Sequence, residues 1–192
     1  MKKVILAVAA IFVSTGAFAQ SFEWGVKGGL NLASITKVDD ANMKPSFYLG
    51  AFAEFKITDF IGIQPELIYS RQGNMMTGTV LGEDVKTWSR LNYLNVPVMV
   101  KLYVLDKLSV DIGPQFGFLL NSRVKAKAGG VSATGDLDGI KNFDVSMGLG
   151  LSYKVWGPLD VSARYNLGLT KLSDNSESGK NSVIQIGAGY RF

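Results

Sequence analysis

The sequence contains no cysteine and no histidine, and beyond its first twenty residues it has no apolar run of eighteen residues. Without cysteine, an exported chain has no disulfide to hold it together, so its stability has another source. Without histidine, the commonest general base and the commonest metal ligand are both lost. The missing apolar run excludes a transmembrane helix downstream of the N-terminus. A strong charge of one sign is also lacking. Twenty Lys and Arg stand against sixteen Asp and Glu, which gives no reason to expect nucleic acid as a partner.

The N-terminus has the pattern of an export signal. Lys2 and Lys3 precede an apolar run from Val4 to about Val13, and Ala17-Phe18-Ala19 supplies a small-x-small cleavage motif. Residues 1–19 are therefore predicted to be a cleaved signal peptide, and 20–192 a single domain. The apolar run is too short for an anchor, and no basic stop-transfer flank follows it.

The domain shows period-two alternation of apolar and polar residues, segment after segment. Strands are predicted near 22–33, 46–57, 61–71, 88–104, 108–121, 142–155, 159–171 and 181–192. Three connections are tight: Thr58-Asp59-Phe60, Leu105-Asp106-Lys107 and Trp156-Gly157-Pro158. The stretches 34–45, 72–87, 122–141 and 172–180 are predicted to be long loops. Even strand number, with short turns at one end and long loops at the other, is the layout of an outer-membrane barrel. The predicted fold is all-β, an eight-stranded antiparallel up-and-down transmembrane β-barrel.

Alternation alone leaves the inward face open, and a soluble lipocalin-like periplasmic carrier with an apolar cavity is the competing arrangement. Three features favour an apolar face toward lipid. The polar face is loaded with glycine (Gly25, Gly29, Gly50, Gly62, Gly113, Gly117, Gly148, Gly150, Gly187, Gly189), a residue that weakens water-facing strands but leaves room inside a narrow barrel. An eight-stranded interior is only just wide enough for side chains, and the apolar set would overfill it. The aromatics also fall into two groups: Phe22, Trp24, Phe55, Tyr153, Tyr190 and Phe192 toward the turn end, and Phe47, Tyr69, Trp88 and Phe143 toward the loop end. Two such girdles bound an aliphatic band in transmembrane barrels.

On this assignment the inward charges are Lys27, Lys56, Lys101, Lys154, Arg164 and Arg191 against Glu23, Glu54, Glu66, Asp111, Asp144 and Asp160. The balance predicts a salt-bridged polar plug, because paired buried charge is tolerable and unpaired charge is not. A narrow ion-conducting pore with a charged constriction is the alternative. Glu54 and Glu66 could in principle do acid–base chemistry, but Lys27, Lys56 and Lys101 are placed to neutralise them. No catalytic residue, metal site or cofactor is expected, and the predicted role is structural or loop-mediated binding. Arg123, Lys125 and Lys127 recur every second residue, and on one face they would suit lipopolysaccharide phosphate or an acidic partner. Loop 72–87, with Met75, Met76, Val80 and Leu81, is apolar enough to cover the mouth or meet a partner.

At "GVKGGLNLASI" (Gly25–Ile35), "IQPELIYSRQG" (Ile63–Gly73) and "YLNVPVMVKLY" (Tyr93–Tyr103) the chain resembles the PorT-like outer-membrane β-barrel family. The matching runs are G-x-K-x-G-x-N, Q-P-E-L-x-Y-S and Y-L-x-x-P leading to a Lys, and the closing "YRF" fits as well. Asn95 departs from the family, which often has Glu there. The resemblance implies an eight-stranded barrel in the outer membrane of a Gram-negative bacterium, with outer-membrane lipid and lipopolysaccharide around it. It also raises an envelope or secretion protein as a partner, since the family's namesake is associated with a secretion apparatus. Tyr190 and the terminal Phe192 resemble the signal that barrel-assembly machinery reads.

Overall fold

A computed structural model of the chain describes residues 21–35, 42–80, 83–128, 131–136, 139–171 and 179–192. The predicted signal peptide lies outside the described residues. Ten strands and no helix are present among them: β1 (Ser21–Ile35), β2 (Asn42–Lys56), β3 (Ile61–Gln72), β4 (Asn74–Val80), β5 (Glu83–Leu105), β6 (Leu108–Ala128), β7 (Val131–Asp136), β8 (Phe143–Trp156), β9 (Leu159–Gly168) and β10 (Asn181–Arg191). Eight of these close on themselves in the order β1-β2-β3-β5-β6-β8-β9-β10, every pairing antiparallel, with β10 returning to β1. Closure removes the sheet edges, which could not stand unpaired in lipid.

The tight turns follow from local chemistry. Gly157 has φ of +49° ahead of Pro158, the type II′ arrangement whose twist suits a two-residue hairpin. The Thr58 hydroxyl accepts from the amides of Phe60 and Ile61, closing the β2–β3 turn. Phe192 seals the barrel: its amide donates to the Trp24 carbonyl at 2.8 Å, and its ring stacks on Trp24 with centroids 4.5 Å apart.

The apolar face is the outer one. Leu49, Leu30 and Leu149 are 62%, 60% and 55% exposed, while Glu66, Asp111 and Lys101 are 1–2% exposed. The barrel is thus inverted relative to a water-soluble protein. A carrier with an apolar lumen is excluded by that orientation. Most expected belt aromatics stand exposed on this wall: Phe22, Trp24, Tyr153, Tyr190 and Phe192 toward the turns, Phe47, Tyr69 and Phe143 toward the other end. Two do not follow the expectation. Phe55 is buried, covered by Phe22 with ring centroids 5.2 Å apart. Trp88 lies six residues beyond Leu94, which pairs with Tyr69, so it stands well past the loop-end belt.

Two of the predicted loops are strands. β5 has 23 residues and β6 has 21, whereas about 9–11 tilted residues cross a bilayer. Their outer halves pair with each other and with β4 and β7, making a four-stranded sheet that extends the wall beyond the mouth. Stretches 72–87 and 122–141 are therefore mostly ladder. The backbone there continues hydrogen-bonding because polar strands need no membrane to pair. The side chains of Met75, Met76, Val80 and Leu81 lie outside the described residues. Ile140 packs at the mouth instead, against the inward Leu91 and Tyr93, and Leu119 joins the same apolar cluster.

Candidate functional site: the charged lumen and the extended rim

Alternation on eight strands brings the charged residues onto one axis. At mid-height, Arg164 grips Glu66 with both ends of its fork, Nη1 to Oε2 at 2.9 Å and Nη2 to Oε1 at 2.7 Å. Lys27 Nζ lies 3.1 Å from the same carboxylate, and Gln64 Nε2 donates to it at 2.6 Å. Nearer the turns, Arg191 Nη1 reaches both Glu23 and Glu54 at 2.7 Å while Nη2 holds Asp160 at 3.0 Å. Lys154 adds a longer pair to Glu23 at 3.7 Å. Lys101 joins the two groups, 3.5 Å from Glu54 and donating to Gln64 at 3.2 Å. Nine of the expected charges thus form one connected system.

The other three expected charges are satisfied differently. Lys56 sits half-buried at the turn end with its ammonium 5.1 Å from the Tyr103 ring centre, because Tyr103 itself donates to Glu54. Asp111 accepts from Ser109 at 2.8 Å and Ser152 at 2.5 Å. Asp144 accepts from Thr170 and, at 3.4 Å, from Asn181. Above Glu66 the interior is filled by amides and hydroxyls: Gln185 donates to Asn31, Asn31 to Ser70, and Asn166 to Gln185, all within 3.0 Å.

Inward aromatic and apolar residues complete the filling, and alternation read as polar-in did not reveal them. Tyr48, Phe52, Ile68, Tyr93 and Met99 are all buried inside. The Arg191 guanidinium lies 5.4 Å from the Phe52 ring centre. The glycines make this possible: a Cβ on Gly25 would come within 2.7 Å of the Phe52 ring. Between Lys101, Tyr103, Ser109, Ser152, Lys154 and Arg191 no space remains for a water-sized sphere. Asn95, the departure from the family pattern, is buried beside Gly117 with its Nδ2 lacking a partner among the described residues.

At the rim, Arg123 is exposed and Lys125 half-buried, and both point outward from the sheet rather than over the mouth. Lys127 follows on the same face by backbone register. Tyr190 and Phe192 lie at the turn-end belt, their ring centroids 5.3 Å apart.

A family model described as outer membrane protein beta-barrel domain matches residues 18–174. Among solved structures, the attachment invasion locus protein Ail of Yersinia pestis is 17% identical, with 90% of this chain and 100% of that chain covered and a TM-score of 0.50. CarO of Acinetobacter baumannii is 9% identical over 88% of this chain and 97% of its own, with a TM-score of 0.51. At these identities the likeness is one of fold. No curated protein matches the sequence.

Proposed function

Since the chain belongs to the outer membrane protein beta-barrel domain family, we propose that it is a non-enzymatic barrel with a closed lumen, which acts through the sheet it projects beyond the membrane. The observation that carries this is the Lys27–Glu66–Arg164 and Arg191–Glu23–Glu54–Asp160 system. Every cation in it lies against a carboxylate, and Lys27, Glu66, Arg164, Glu54 and Arg191 are all buried. Such pairing suits a plug that fixes strand register. A conducting filter instead needs sites weak enough for ions to leave.

The finer parts of the reading belong together. Residues 1–19 direct export and are removed. Tyr190 and Phe192 are read by the barrel-assembly machinery. The resemblance of the three sequence runs noted above supports a PorT-like barrel, with an envelope or secretion protein as its partner through the projecting sheet. Glu54 and Glu66, the carboxylates considered for acid–base chemistry, are engaged by Arg191 and Lys101 and by Arg164 and Lys27.

The test is electrical. Purified protein in planar bilayers gives no discrete conductance steps in 1 M salt if the plug holds. Regular unitary steps from the wild-type chain would replace the plug with a pore.

A further inference from the structure

The ladder between β5 and β6 carries one irregularity near the mouth: Tyr93 pairs with Leu119, but Asn92 pairs with Asn121, so Leu120 is an extra residue. A bulge of this kind shifts the alternation of the strand that contains it. Below it, the odd-numbered residues of β6 (Asp111, Gln115, Gly117) face the lumen. Above it they face outward, and Asn121 and Arg123 are exposed. β5 has no such shift near the mouth, its own extra residue being Val104 at the turn end, so Trp88, Arg90 and Leu94 stay on the outward face. The outer surface of the extension therefore has Arg90 directly opposite Arg123, Trp88 opposite Lys125 and, by backbone register, Lys86 opposite Lys127. Arg71 adds a further cation beside Asn92.

Like charges directly opposite on a ladder destabilise it, and Arg90 and Arg123 form such a rung beside the Trp88–Lys125 rung. The acidic residues near this face by register are Asp136, next to Arg123, and Asp84, at the β4–β5 end. Cations outnumber them, and among the described residues no carboxylate makes an ion pair with Arg90 or Arg123. The arrangement is continuous with the lipid-facing wall. Leu94 and Phe118 are the last apolar rung, level with Tyr69 and Phe143. Arg90 lies four residues further, about 13 Å along the strand and roughly 10 Å along the membrane normal for a tilted strand. That height lies just past the roughly 5–8 Å headgroup layer of an ordinary phospholipid leaflet, where only a taller, sugar-bearing headgroup reaches.

We propose that the outward face formed by Arg90, Arg123, Lys125 and Trp88 is a binding surface for the phosphates of a phosphorylated glycolipid headgroup. The inference rests on the outer-membrane reading above. Two guanidinium forks side by side match phosphate oxygens bidentately, and Trp88 with Lys125 forms the next rung of the same face. The bound anion offsets the repulsion that the paired cations otherwise impose. The lipid is the source because this face continues the wall that its acyl chains cover.

The full chain, folded in detergent micelles, is titrated with bisphosphorylated lipid A and the bound lipid is counted by native mass spectrometry. Arg90→Gln with Arg123→Gln is expected to weaken binding about thirty-fold, and Arg90→Lys with Arg123→Lys to retain most of it. Lys107→Gln, at the opposite end, leaves binding unchanged. Equal binding by wild type and the double glutamine variant overturns the proposal, as does equal binding of dephosphorylated lipid A. Competition by inorganic pyrophosphate at matching affinity also overturns it, because a soluble anion would then be the ligand. Heat-modifiable gel mobility is recorded for each variant. A wild-type chain that shows none contradicts the barrel reading itself, whereas a folded barrel without phosphate preference contradicts only the lipid site.

Discussion

Glu66 shows how a single residue can hold an interior together. Its carboxylate is the shared partner of Arg164 and Lys27 and also accepts from Gln64. Burying those three charges is costly, and their mutual geometry offsets the cost only while all are present. Glu66→Ala leaves two cations facing each other in a space closed to solvent. The expected loss is about 3–5 kcal/mol, measured as the shift in the urea unfolding midpoint in detergent. Replacing the whole group, Glu66→Leu with Lys27→Met and Arg164→Leu, is expected to cost less than the single change. A single variant as stable as wild type would show that the cluster contributes nothing.

At the scale of the strand, the alternation was legible because each face repeats every second residue, and nothing distant is needed to read it. Leu149, Leu151 and Tyr153 announce an outer face, and Ser146, Gly148 and Gly150 an inner one, from local pattern alone. The turn at Gly157-Pro158 was equally local. Three things were not legible. Where the chain leaves the membrane, the run of β4 (NMMTGTV) keeps no apolar-polar alternation and that of β7 (VSATGD) carries it only weakly, on Val131 and Ala133, so both were hidden. The extra residue Leu120 is a frame shift with no sequence mark, so the outward partnership of Arg123 with Arg90 could not be seen. Whether an inward charge meets an ion or a hydroxyl depends on neighbours across the barrel, which is why Lys56, Asp111 and Asp144 found partners other than opposite charges. The frame shift makes its own prediction. Deleting Leu120 removes the bulge and keeps Asn121 opposite Asn92, so the barrel should retain heat-modifiable mobility. Deleting Ile112, inside the regular ladder, turns the rest of β6 over and should abolish it.

For the whole molecule, inversion is the governing property. The chain has no disulfide, and its interior is built around charge, amide and hydroxyl, with Phe52, Ile68, Tyr93 and Met99 filling the space between them. Its apolar surface is on the outside, bounded by aromatic belts and continued beyond the loop-end belt by a cationic sheet. Each feature makes sense only if the solvent around the middle of the barrel is lipid. Because the sequence contains no cysteine, that claim can be tested with single labels. Cysteine at Leu149 or at Ser146, each carrying a small fluorophore, is placed in vesicles of brominated phosphatidylcholine. Strong quenching at 149 with little at 146 is the predicted result. Equal quenching at both positions, or stronger quenching at 146, would contradict it.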